Sequence, residues 1–129
     1  MVGLLIVSHG AFGESLIHSA SHVLGRRPPY LRQLGVTVHD EPEAALSVAQ
    51  DLIRFLDQGD GVLVMTDIYG ATPSNIAARL LEPGKVEAIA GVNLPMLIRA
   101  LNYRDEPLES VLQKALTGAV EGVMRMQPT

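Results

Sequence analysis

Leu4-Leu5-Ile6-Val7-Ser8-His9-Gly10-Ala11-Phe12-Gly13 is the stretch that decides how this chain is read. Leu4 to Val7 is an unbroken apolar run without polar alternation, the pattern of a strand buried on both faces in a parallel sheet. Gly10 to Gly13 loosens the chain, and Leu16, Ile17, Ala20, Val23 and Leu24 then recur at helical spacing. His9 therefore closes a first strand and stands just ahead of a helix N-terminus. In open α/β sheets ligands bind outside the carboxyl ends of the strands, so a titratable ring at this point is a candidate for chemistry.

Outward from that stretch the alternation continues. Gly25-Arg26-Arg27-Pro28-Pro29 stops the helix, because glycine suits the position after a helix end and the prolines cannot extend it. Leu31 to Val36 is a weaker strand. Asp40-Glu41-Pro42-Glu43 has the form of an Asp40 cap with a glutamate three residues on. It introduces a helix with Ala45, Val48, Ala49, Leu52, Phe55 and Leu56 on one stripe. Gly61 to Thr66 is a second clear buried strand, and Asp67 closes it. Thr72-Pro73 reads as an N-cap followed by proline at the first helical position, leading into Ile76, Ala77, Leu80 and Leu81. Val86 to Val92 gives a fourth strand, Asn93-Leu94-Pro95 opens a short helix, and Leu108 to Ala119 carries the stripe of a last one. Val120 to Met126 reads either as a frayed helix end or as an added edge strand.

Strands alternating with helices imply an α/β fold, a three-layer, doubly wound, mostly parallel sheet covered on both faces. Right-handed crossovers leave few strand orders, and the commonest small one is 2-1-3-4, with a possible C-terminal antiparallel edge strand. That order sets the carboxyl ends of strands one and three side by side. His9 ends one and Asp67 ends the other.

The bulk numbers fit a single domain over residues 1–129. Of these residues 47% are hydrophobic and 19% charged, which suffices for one core and argues against disorder. A net charge of −4, with no basic run longer than Arg26-Arg27, gives no nucleic-acid footprint. The absence of cysteine excludes disulfides and thiolate metal sites. No basic region precedes the first apolar run and no stretch reaches membrane-spanning length, so the expectation is a cytoplasmic protein without membrane insertion.

A carboxylate that accepts a hydrogen bond from one imidazole nitrogen fixes the tautomer and leaves the other nitrogen as a nucleophile. Asp67 would play that part for His9. Two helix N-termini, after Gly10 and near Thr72, converge on the same spot. Each favours an anion by roughly 0.3–1 kcal/mol. Free backbone N–H groups there, with the Thr72 hydroxyl, would cradle phosphate oxygens, and Gly10, Gly13 and Gly70 let the backbone come close. Gly10, Ala71 and Thr72 are the expected phosphate contacts. Asn93, at the end of strand four, is expected to line the pocket.

Three segments, Ile6-Val7-Ser8-His9-Gly10, Thr66 to Asn75 (TDIYGATPSN) and Ala90 to Met96 (AGVNLPM), resemble the IIA domain of the mannose-type sugar phosphotransferase system over essentially the whole chain. The resemblance implies that His9 is transiently phosphorylated on Nε2 by the carrier protein HPr, with Asp67 as its hydrogen-bonded partner and the Thr72 region touching phosphate. It implies onward transfer to a histidine of a IIB domain, and a homodimer that exchanges a C-terminal strand, here Gly122 to Gln127. No metal or organic cofactor is implied, because the donor phosphoramidate is already activated. Several sugar-transporting members continue into a IIB domain, whereas this sequence stops at Thr129. That leaves room for a regulatory interaction module, or for a phosphotransfer subunit of a dihydroxyacetone kinase, as alternatives.

Other classes fit less well. Small tetrapyrrole metal chelatases also place His-Gly after a first strand, but they need a further metal ligand across the cleft, where this chain offers Asn93. A receiver domain needs an acidic pair where Ser8-His9 stands. His18 and His22 have metal-ligand spacing, yet sit among Glu14 and Ser21 on what reads as a solvated face. His39 lies in a polar loop.

Overall fold

The computed structural model describes residues 1–129. Its elements run β1 (Gly3–His9), α1 (Phe12–Leu24), β2 (Leu31–Val36), α2 (Pro42–Leu56), β3 (Val62–Thr66), α3 (Thr72–Leu80), β4 (Val86–Ala90), α4 (Leu94–Tyr103) and α5 (Leu108–Glu121). All four strands are parallel, in the order β2-β1-β3-β4. Both sequence expectations, the three-layer α/β fold and the 2-1-3-4 order, hold.

The apolar run of β1 shows why the sheet is central. Leu4 and Ile6 point to one face, among residues of α1, α4 and α5 such as Ile17, Leu97, Ala100 and Val111. Leu5 and Val7 point to the other, against Leu46, Ala49, Ile76 and Ala77 of α2 and α3. All four β1 side chains are completely buried, each contributing roughly 1.5–3 kcal/mol. Pairing of Val7 with Thr66 puts His9, two residues beyond Val7, and Asp67, directly after Thr66, at neighbouring strand ends.

Arg104, directly after α4, is the charged residue that the core encloses. Only 6% exposed, it donates from Nε and Nη2 to the Val2 carbonyl at 3.1 and 3.0 Å. Nη1 reaches the Pro29 carbonyl at 2.6 Å and Nη2 the Tyr30 carbonyl at 2.7 Å. One guanidinium thus ties the start of β1 and the lead-in to β2 to the end of α4.

Three local expectations are corrected. The cap of α2 is Glu41, whose side chain accepts from the Ala44 N–H at 3.0 Å. Asp40 instead accepts from the Thr37 N–H at 2.7 Å and closes the preceding turn. Pro42 enforces this shift, since proline suits the first helical position and the residue before it stays extended. β4 ends at Ala90 rather than Val92, because both the Gly91 and Val92 N–H groups turn back onto the Thr66 carbonyl, each at 2.9 Å.

The C-terminal edge strand does not form. α5 runs to Glu121, and Val123 to Thr129 adopts no regular structure. Gly122 is wedged against the Pro95 side chain, and beyond it Val123, Met124 and Met126 are exposed. Within one copy of the chain the tail pairs with no strand, and its apolar side chains stay largely uncovered.

Candidate functional site

The carboxyl ends of β1 and β3 bring His9 and Asp67 into direct contact. His9 Nδ1 lies 2.7 Å from Asp67 Oδ2, and the His9 backbone N–H donates to the same oxygen at 2.9 Å. The Ile68 N–H donates to Oδ1 at 3.0 Å. Burial pushes the Asp67 carboxyl up, but the His9 backbone N–H, the His9 ring and the Ile68 N–H together outweigh it and hold the carboxyl below its usual range. An ionised carboxylate can only accept, so Nδ1 carries a ring proton, and in the neutral ring Nε2 then keeps the lone pair. The Asp67 side chain is 15% exposed and that of His9 54% exposed. The carboxylate is sheltered and the imidazole is half exposed.

Two helix N-termini flank this pair. α1 starts after Ala11 and α3 after Ala71, neither with a side-chain cap. Thr72 is the first residue of α3 rather than its cap: Ala71 holds the extended cap conformation, with φ −96° and ψ 173°. The shift leaves the Thr72 hydroxyl without an intramolecular partner. In α3 the Asn75 N–H is the first to meet a backbone acceptor, the Ala71 carbonyl at 3.0 Å. N–H groups ahead of it have no intrahelical acceptor, the arrangement that makes helix N-termini attract anions.

The donors around α1 are more committed than the sequence suggests. The Gly10 N–H is bonded to the Val36 carbonyl at 2.9 Å, and the Gly13 N–H to Ser8 Oγ at 2.9 Å. Gly10 thus contributes shape, through a left-handed φ of 53°, and no free N–H. Asn93 caps α4 by accepting from the Met96 N–H at 2.9 Å and donates to the Ala119 carbonyl at 3.3 Å. Its amide is engaged at both ends in joining α4 to α5, and no hydrogen bond links it to His9 or Asp67.

Two serines that sequence reasoning passed over shape the site. Ser8 is fully buried and satisfies an orphan donor of α1. A polar residue inside an otherwise apolar strand was its only signal. Ser74 Oγ accepts from the Gly70 N–H at 2.8 Å and donates to the Ala71 carbonyl at 3.1 Å, bracing the loop between Asp67 and α3. His18 and His22 are exposed on α1 and border a polar surface depression with Ser21, Arg26 and Arg27. His39 is exposed in the loop after β2.

Comparison with known proteins gives the family. The family described as "PTS system fructose IIA component" matches residues 3–116. The mannose-specific EIIAB component of the phosphotransferase system (PTS) of Escherichia coli K12 is 28% identical over 98% of this chain, which spans 40% of that relative's length. The fructose-specific EIIA component of Bacillus subtilis is 30% identical, covering 81% of this chain and 72% of the relative. A crystal structure of an EIIA component from Streptococcus agalactiae superposes with a TM-score of 0.86 at 25% identity, covering 97% of both chains. No helix of this chain is long and apolar enough to cross a membrane. The chain belongs to the mannose/fructose IIA family of the phosphotransferase system.

Proposed function

We propose that this chain is a phosphoryl carrier of the phosphotransferase system. It takes a phosphoryl group from phosphorylated HPr onto Nε2 of His9 and passes it to a histidine of a IIB-type partner in the cytoplasm. The observation that carries this reading is the 2.7 Å contact of Nδ1 with the Asp67 carboxylate on a ring that is half exposed. In the forward step the Nε2 lone pair forms a bond to phosphorus. The donor's N–P bond breaks, and its electron pair returns to the donor imidazole. The His9 ring is then a phosphorylated imidazolium whose positive charge is shared with Asp67 through Nδ1–H. Transfer to the acceptor reverses these roles. The N–P bond is already activated, so the chemistry asks the protein for orientation and charge stabilisation.

Phosphate oxygens meet Thr72 Oγ1 and the N–H groups of Ala71 and Thr72 at the start of α3. Gly10 allows close approach. A half-exposed nucleophile suits a donor carried on another protein, whose docking excludes water. Phe12 at the start of α1, with Val38, Ile68 and Tyr69 in the loops after β2 and β3, are exposed and supply apolar surface for that contact.

The chain is further proposed to be a homodimer. Beyond the Glu82–Val86 bridge, β4 leaves one edge of the sheet unpaired, and an open edge is a template for another strand. The tail carries exposed Val123, Met124 and Met126, which a second copy would cover by strand exchange.

Incubation with phosphorylated HPr tests the carrier role. The protein should gain an acid-labile, base-stable phosphate, and His9→Ala should gain none. Label that persists in the variant would move the acceptor to His18, His22 or His39.

A further inference from the structure

We infer that Gly35, in β2, is a positioning residue for the His9 nucleophile; the inference rests on the carrier reading above. Ser8 pairs with Gly35 and His9 with Val36, and the Gly10 N–H extends the pairing by bonding to the Val36 carbonyl at 2.9 Å. Gly10 then turns through its left-handed φ of 53°. This brings its carbonyl over Gly35, where a Cβ on Gly35 would collide with the carbonyl oxygen of Gly10. That oxygen belongs to the backbone and cannot swing away as a side chain would.

Gly35 does not have a positive φ, so its conformation would accept alanine. Space alone requires glycine there. The buried, unpartnered Oε1 of Gln33 lies 3.6 Å from the same point, so the side is not open solvent. His9 is thus held from two directions. Asp67 grips its backbone N–H and ring from β3, while β2 fixes the next peptide through Val36 and the bare backbone of Gly35.

A methyl group at position 35 forces the Gly10 peptide back by about 1 Å to reach an ordinary carbon–oxygen contact of about 3.3 Å. A ring hydrogen bond of 2.7 Å does not survive a displacement of that size. Misplacement of a reacting group by about 1 Å costs roughly 100-fold in rate.

The test uses the full chain with Gly35→Ala, and with Gly3→Ala as comparator. A Cβ on Gly3 would collide with the backbone carbonyl of Leu56, the same kind of clash at the opposite end of β1. Gly35→Ala should retain its helical and strand circular dichroism and lose or shift the NMR resonance of the His9 Nδ1 proton. It should also take phosphate from phosphorylated HPr roughly 100-fold more slowly. Gly3→Ala should lower stability but leave the resonance and the rate within threefold. Equal effects of the two variants on the resonance, or none from Gly35→Ala, would overturn the proposal.

Should Gly35→Ala not fold, hydrogen exchange of the wild-type protein decides. The Gly10 amide should be protected like the amides of β1, and exchange at the rate of a free loop would refute the clamp. Because the resonance is read without any partner, it tests Gly35 even if His9 proves not to accept phosphate.

Discussion

Replacing Asp67 with alanine should slow phosphoryl uptake by about 10- to 150-fold while leaving the fold intact. Three hydrogen bonds are lost, from the His9 N–H, from Nδ1 and from the Ile68 N–H. The two backbone donors border solvent, where water replaces the carboxylate, and they change little between ground and transition state. The Nδ1 bond does change, because the ring gains positive charge as Nε2 bonds to phosphorus. A hydrogen bond to a charged group is worth about 1.5–3 kcal/mol, and about 1.4 kcal/mol is tenfold in rate. In a fully enclosed catalytic triad, spoiling the orienting carboxylate costs about 10⁴. With the His9 side chain 54% exposed, water and salt screen the interaction and the smaller figure applies.

The assay is single-turnover transfer of labelled phosphate from HPr to the variant and to wild type. A rate within threefold of wild type would refute the orienting role. Stability provides a second readout. The Asp67 carboxyl titrates lower in the folded protein than in the unfolded chain. Its contribution is therefore complete above the unfolded value of about 3.9 and is lost as pH falls through the lower folded value. The stability gap between wild type and Asp67→Ala should close as pH is lowered below about 4, as followed by urea unfolding. A gap that widens there would contradict the bond network.

Arg104→Ala should cost about 3 kcal/mol or more, since it strips the Val2, Pro29 and Tyr30 carbonyls of a charged donor in a buried place. Urea denaturation measures this, and a loss under 1 kcal/mol would show that water replaces the guanidinium. Truncation after Gly122 removes Val123, Met124 and Met126 and should weaken the proposed dimer at least tenfold in sedimentation equilibrium. An equally dimeric truncated protein would end the exchanged-strand proposal.

Burial leaves a local signature, and most of the architecture was legible from it. The continuous apolar runs at Leu4 to Val7 and Val62 to Met65 announce strands covered on both faces. The helical stripes announce the layers that cover them. Right-handed crossovers then left the 2-1-3-4 order, and with it the meeting of His9 and Asp67, as the leading arrangement. Less could be read where a polar group chooses between partners distant in sequence. Gly10 looked like a free donor until Val36 took its N–H, and nothing local to Asn93 announced that its amide would join α4 to Ala119. Thr72 looked like a cap, but Ala71 took that place and freed the hydroxyl.

The amino-acid sequence by itself determined the periodicities, the α/β class and the identity of the ring and carboxylate. Those follow from side-chain hydrophobicity repeated at fixed spacing. Tertiary structure alone decided which N–H meets which carbonyl, why position 35 has no room for a methyl group, and that the last residues lie uncovered on one copy of the chain. Hydrogen bonds and steric contacts act over about 3 Å between segments far apart in sequence, a distance that residue order does not specify.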